Sequence, residues 1–171
     1  MLENGMIVDG KYKILNKIGR GGMSTVYLAM NERANRQWAI KEIQKKGNRY
    51  YRTMREELLA ETDILKRLDH PNLPKIADVL EYKDIFLIVM DYIEGRPLSL
   101  TLQEQGAQSQ EVVVAWGKQL CDVLEYLHSR KPPIIYRDMK PANIMLRPDG
   151  RVMLIDFGTA REYKEEHVED T

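Results

Sequence analysis

The chain has 171 residues, 43% of them hydrophobic and 30% charged, the balance of an ordinary soluble globular protein. Basic and acidic side chains number 26 each, so the formal charge is zero and no general electrostatic grip on nucleic acid or anionic membrane is expected. A single cysteine, Cys121, excludes an internal disulfide and fits a reducing, cytoplasmic setting; inside its helical pattern it reads as a small buried hydrophobe. The N-terminus lacks a basic region followed by an apolar run, and no stretch approaches the roughly 18 apolar residues of a membrane helix.

In chain order, residues 12–18, 24–30, 37–43, 75–82 and 84–93 read as strands separated by Gly, Asn or charged turns. Their close spacing favours an antiparallel sheet. Between the third and fourth lies a helical stripe of Met54, Leu58, Glu61, Leu65 and Leu68, closed before Pro71. Glu61 is thus a carboxylate within an apolar face. It either reaches water at the edge of that face or meets a cation. From Pro97 the pattern turns helical. Ser109 reads as the N-cap of a helix with the stripe Val113, Trp116, Leu120, Leu124 and Leu127. Short β-like pieces follow at 134–136, 143–147 and 151–155, the last two joined by the turn Pro148-Asp149-Gly150. The expected architecture is α+β, with a five-stranded antiparallel lobe carrying one long helix over residues 1–93 and a mainly helical lobe over 94–171. A hinge starts at Asp91.

Gly19, Gly21 and Gly22 sit between two strands, where backbone N–H groups can approach an anion closely; alone, such a loop is also an ordinary hairpin turn. Lys41 follows Ala39 at strand spacing, so the two share a face. An edge lysine would be exposed, but Lys41 and the helical Glu61 each give the other a reason to be inside. Asp138, Lys140, Asn143 and Asp156 recur within nineteen residues, each beside an apolar piece. Two carboxylates, an amide oxygen and an ammonium suit magnesium-bound phosphates, because Mg²⁺ takes oxygen ligands and often only one or two carboxylates. The three histidines, His70, His128 and His167, show no metal-ligand spacing; His70 reads as a turn residue and His128 as a helix-end residue.

The ordered set of glycine-rich loop, strand lysine, helix glutamate, "IIYRDMKPANIML" and "LIDFG" resembles the eukaryotic-type protein kinase catalytic domain, in its bacterial serine/threonine form, from about Tyr12 onward. The resemblance implies ATP and Mg²⁺ as cofactors and a protein Ser/Thr hydroxyl as acceptor. It implies that Lys41 holds the α- and β-phosphates, locked by Glu61. Asp138 takes the substrate hydroxyl's proton or orients that hydroxyl, and Lys140 steadies the transferring group. Asn143 and Asp156 hold the metal. Gly19, Gly21, Gly22 and Ser24 line the phosphates. Val26, Ala39 and Met145 sandwich adenine, beside Met90 as gatekeeper and the hinge from Asp91 to Ile93. Leu65, Ile76, Tyr136 and Phe157 form an internal stack. Arg137, with Thr159 or Thr171, resembles control by loop phosphorylation. Ser24 in place of a third glycine and Tyr136 in place of the frequent histidine are departures that leave the chemistry intact.

The same resemblance leads to the expectation of an incomplete catalytic domain, stopping within the activation segment. The stripe Val113, Trp116, Leu120, Leu124 and Leu127 would then be left wet and would favour self-association. The alternative to a catalyst is a non-catalytic ATP-binding or interaction module. A small-molecule kinase is disfavoured by Arg137 and Lys140.

Overall fold

The computed structural model describes residues 1–20, 24–44, 51–82, 84–157 and 160–163, apart from the side chains of Met54, Glu57 and Leu58. The chain forms two compact units. One comprises Met1–Asp69 with Pro74–Glu94, the other His70–Leu73 with Gly95–Thr171.

The first unit is an antiparallel sheet of β1 (Ile7–Val8), β2 (Tyr12–Arg20), β3 (Ser24–Asn31), β4 (Arg36–Gln44), β5 (Ile76–Glu81) and β6 (Ile85–Asp91), in the order β1-β2-β3-β4-β6-β5. Five of these follow the sequence pattern. β1 is a sixth, too short to carry an alternation of its own, and pairs Ile7 with Lys13 and Val8 with Tyr12. The sheet curls. Tyr12 on β2 donates its hydroxyl hydrogen bond to Asp78 on β5, with three strands between them in sheet order, and Lys11 bonds the same carboxylate at 3.0 Å. Burial and the Asp78 carboxylate push the Tyr12 phenol up to about 12, so it remains a donor.

Alternation divides β4 between two faces. Ile40 points into a cluster with Leu2, Val8, Tyr12, Ile14, Tyr27, Ala29, Leu87 and Val89. Ile43 points the other way, into a cluster with Phe86 and Ile88 that Tyr51 and Leu59 of helix α1 (Tyr51–Leu65) pack against. Glu42 lies on the Ile40 side and is only 2% exposed. Its carboxylate accepts from the Leu2 N–H at 3.0 Å and the Gln44 side-chain amide at 2.9 Å, with the Met1 ammonium 3.6 Å away. Burial works against the ionised form, but these donors and the Tyr27 hydroxyl outweigh it and hold the carboxyl below the ordinary glutamate range.

The second unit packs helices α2 (Leu98–Gln105) and α3 (Gln110–His128) with two small sheets. One has the order β10 (Val152–Leu154), β9 (Ile144–Leu146), β7 (Arg96–Pro97), and the other pairs β8 (Ile134–Ile135) with β11 (Arg161–Glu162). The β9–β10 hairpin turns at Pro148-Asp149-Gly150, where Gly150 takes φ 82° and the Asp149 carboxylate accepts from the Arg151 N–H at 3.0 Å. α3 begins at Ser109, whose side chain accepts from the Val112 N–H, with Glu111 in the first turn, where a negative charge suits the helix dipole, and His128 in the last.

The exposed face of α3 differs from the expected one. Trp116 and Leu127 are buried, with Val123, while Leu120 and Leu124 are half-covered and only Val113 of the stripe is exposed, next to Val112 and Val114. The expectation of five wet side chains is corrected: the unit's own strands and loops cover most of that stripe. Cys121 is likewise exposed rather than buried, because it lies about 140° around the helix from Trp116. Among the described residues, no helix is long and apolar enough to cross a membrane.

Candidate functional site

In the first unit, strand register gathers one group of candidates. Gly19 pairs with Val26, Val26 with Lys41, and Ala39 with Met90, so Val26, Ala39, Lys41 and Met90 are neighbours on the α1 face of the sheet. Directly opposed residues on adjacent strands point to the same side. Lys41 Nζ stands 3.6 Å from Glu61 Oε2 on α1, and Glu61 is 7% exposed. The helical carboxylate does meet the strand cation, and burial makes the pair a fixed feature rather than a loose surface contact. Ser24 opens β3 opposite Ile43. Gly21 and Gly22 lie outside the described residues.

Asp91, the last residue of β6, is heavily engaged. Its carboxylate pairs with Arg36 and accepts from the Lys75 N–H at 2.9 Å, and its own N–H donates to the Lys75 carbonyl at 2.9 Å. The end of the strand is thereby pinned, and the half-buried Ile93 follows it without regular structure.

In the second unit, Asp138, Lys140 and Asn143 come together. Lys140 Nζ lies 2.8 Å from Asp138 Oδ2, and the Asn143 amide donates to that oxygen at 2.9 Å and to the Asp138 carbonyl at 3.0 Å. The Asn143 N–H bonds the Lys140 carbonyl at 2.9 Å in a 3-10 turn over Pro141–Asn143. The Lys140 bond is the main reason the Asp138 carboxyl sits below the usual aspartate range; slight burial opposes it and the Asn143 bond adds to it. Asp138 is therefore ionised at neutral pH, with its charge partly answered.

Asp156 is tied to the same framework through the backbone. The Ile155 N–H donates to the Asn143 carbonyl at 2.9 Å, and the Tyr136 hydroxyl donates to the Ile155 carbonyl. The Tyr136 and Phe157 rings meet edge to face at 5.1 Å. Arg137 and Asp156 both adopt positive φ, 67° and 65°, a conformation that β-carbon-bearing residues avoid and that surrounding contacts must impose. Met145 lies on β9, opposite Pro97 of β7 and Met153 of β10. Thr159 and Thr171 lie outside the described residues.

Two supporting residues escaped the sequence reading. Asn72 is buried and donates its side-chain amide to the Val152 carbonyl at 2.6 Å and to Gln119 at 3.1 Å, while its own carbonyl accepts from the Leu154 N–H at 2.9 Å. It fixes the strand that leads to Asp156. His70 opens the turn that the sequence suggests, its carbonyl accepting from the Leu73 N–H at 3.0 Å, and its side chain is buried. Its Nδ1 accepts from the Asn72 N–H at 3.1 Å and its Nε2 lies 3.2 Å from Asp122. Neither lies in a helix or strand, so periodicity gives no signal; the His-Pro-Asn turn is the only local mark.

Among the described residues, no group of three His, Cys, Asp or Glu side chains gathers to hold a metal by protein ligands alone. The donors that are present suit a different arrangement. Both amide hydrogens of Asn143 go to Asp138, which leaves the amide oxygen as its ligand atom, and Asp156 brings one carboxylate. One carboxylate and one amide oxygen fit Mg²⁺ that takes its remaining ligands from phosphate and water.

An antiparallel sheet carrying a lysine–glutamate pair, followed by an aspartate–lysine–asparagine loop, defines the α+β class of kinase-like folds. A family model described as "Protein kinase domain" matches residues 12–171, and the chain belongs to that family. It is 36% identical over 160 residues to the probable serine/threonine-protein kinase CPE1738 of Clostridium perfringens, covering 92% of this chain and 22% of that protein. It is 34% identical over 159 residues to serine/threonine-protein kinase PrkC of Bacillus subtilis, covering 91% and 24%. It is 34% identical over 157 residues to sperm motility kinase 3A of Mus musculus, covering 92% and 30%. The chain thus spans less than a third of the length of these relatives.

Proposed function

We propose that the chain carries the nucleotide-handling part of an ATP-dependent serine/threonine protein kinase, with residues 1–93 as the N-lobe and 94–171 as part of the C-lobe. The observation that carries this reading is the Asp138 carboxylate held by Lys140 at 2.8 Å and Asn143 at 2.9 Å. Bound Mg·ATP supplies the transferable γ-phosphoryl group, and the protein's task is positioning and charge stabilisation. Asp138 accepts a hydrogen bond from the acceptor hydroxyl and aims its lone pair. A carboxyl held below its usual range is a weak base, so it receives the proton only as the new oxygen–phosphorus bond forms, the bond from the γ-phosphorus to the bridging oxygen breaks with ADP leaving, and the hydroxyl acidifies. Lys140, already beside Asp138, lends its ammonium to the oxygens of the group in transit. Lys41, fixed by Glu61, holds the α- and β-phosphates, and Gly19, Gly21, Gly22 and Ser24 approach them with backbone donors. Val26, Ala39 and Met145 enclose adenine next to Met90, Asp91 and Ile93. Asn143 and Asp156 hold the metal. The relatives named as serine/threonine kinases support the acceptor type. A cytoplasmic setting, where Mg·ATP is plentiful, suits this chemistry.

The test measures transfer of the terminal phosphate of labelled ATP to a generic protein, with nucleotide binding measured beside it. Asp138→Asn should leave binding intact and lower transfer by about 10²–10⁴-fold. Transfer that survives Asp138→Asn sinks the assignment. Binding with no transfer by the parent chain would establish the non-catalytic module instead.

A further inference from the structure

The second unit contains a cavity of about 350 Å³ whose lining includes none of the residues assigned above. Its walls bring together two guanidinium groups, Arg96 and Arg147, the hydroxyl of Thr101, the amides of Gln105 and Gln108, and the Trp116 ring. β7–β9 pairing sets Arg96 opposite Leu146, one residue from Arg147. The two strands can approach this closely because residue 95 is glycine: a β-carbon there would stand 2.4 Å from the Leu146 carbonyl oxygen.

Three polar atoms in this lining are buried without a hydrogen-bond partner: Arg96 Nε, Arg147 Nε and Thr101 Oγ. Thr101 is 3% exposed. Buried donors left unsatisfied are disfavoured by about 1–3 kcal/mol each, and a native fold rarely concentrates three in one place without a use. Each guanidinium also has a carboxylate near it, at a terminal nitrogen of Arg96 and at Nε itself in Arg147. Arg96 pairs with Glu104 at 2.7 Å, and Arg147 Nε lies 3.6 Å from Asp149, beyond hydrogen-bond range. Both carboxylates are largely in solvent, 61% and 49% exposed.

We propose that this cavity is a second ligand site, for a small phosphate monoester. Two cationic N–H donors and a hydroxyl set around one cavity suit the dianionic, three-oxygen head of a phosphate monoester, whose charge exceeds that of a single carboxylate. The indole wall gives the organic part a flat apolar surface, and the volume suits a ligand between an amino acid and a nucleotide in size. In the unliganded protein the charges of Arg96, Arg147, Glu104 and Asp149 cancel. Glu104 and Asp149 therefore compete with the ligand, which makes affinity modest and sensitive to salt.

The site is tested on the full chain by NMR of the arginine Nε–H groups and the Thr101 amide, titrated in turn with O-phospho-L-serine, inorganic phosphate and malonate. The expected result is a saturable shift of Arg96, Arg147 and Thr101 with phosphoserine, weaker with inorganic phosphate and weakest with malonate. Arg147→Lys keeps the charge but loses the planar donor fork, and should weaken binding about tenfold. Glu104→Gln removes a competing carboxylate and should tighten it, an effect a purely structural arginine cluster would not show. Signals that stay in place, malonate binding as tightly as phosphoserine, or unchanged affinity in Glu104→Gln would each overturn the proposal. The result is independent of phosphoryl transfer, since none of these residues takes part in it.

Discussion

Glu42 offers the sharpest test of how the first unit is held together. Its carboxylate is buried, and its partners are the Leu2 N–H, the Gln44 amide and the Tyr27 hydroxyl. Glu42→Gln retains one oxygen for Leu2 but removes the charge and turns an NH₂ group toward another donor. A hydrogen bond to a charged group contributes about 1.5–3 kcal/mol, so the substitution should destabilise the protein by that amount at pH 7. At roughly 2–4 °C per kcal/mol for a chain of this length, the thermal midpoint should fall by about 3–12 °C. Glu42→Leu leaves the Leu2 N–H with no acceptor and should lose more, about 3–5 kcal/mol. The pH dependence has a definite sign. The folded carboxyl titrates below the unfolded value of about 4.3, so its contribution is full above that value and disappears as pH falls through the folded one. Urea melts of parent and Glu42→Gln followed by circular dichroism should therefore diverge at neutral pH and converge in acid. Equal stabilities at pH 7, or a gap that persists undiminished well into acid, would refute the reasoning.

Three further outcomes are expected. Asn72→Ala removes the donor to the Val152 carbonyl and should cost about 1–3 kcal/mol, with faster hydrogen exchange at the Leu154 amide. Lys140→Met removes the largest influence holding Asp138 down, so the Asp138 carboxyl, followed by carbon NMR, should titrate higher, nearer the ordinary value of about 3.9; no rise would detach the two groups. Lys41→Met should weaken ATP binding by about tenfold or more while leaving the fold intact, as read by calorimetric titration and circular dichroism.

Much of the architecture was legible because it lies in local patterns. The strands around Ile14, Tyr27, Ile40 and Leu87 announce themselves by apolar runs broken by Gly, Asn or charge, and the β9–β10 hairpin by Pro-Asp-Gly. The ion pair of Lys41 and Glu61 was legible because a carboxylate interrupting an apolar stripe requires an explanation. What escaped depends on distant chain. Glu42 is buried because the Leu2 region folds over it, forty residues away in sequence. Alternation did put Glu42 beside Ile40 on a buried face, a usable but overlooked sign. Trp116 and Leu127 are covered by strands and loops that no periodicity along α3 can reveal, and the same holds for the exposure of Cys121.

The four residues His70–Leu73 belong with the second unit although the chain returns to the first at Pro74. A single cut near residue 94 would therefore not yield two whole parts. A separately expressed piece beginning at Gly95 would leave the Val152 carbonyl and the Leu154 N–H without the Asn72 groups that satisfy them. Dissection of this protein into independently folding halves should accordingly begin by carrying that short loop along, for example as a tethered peptide, before any property is ascribed to the C-terminal piece alone.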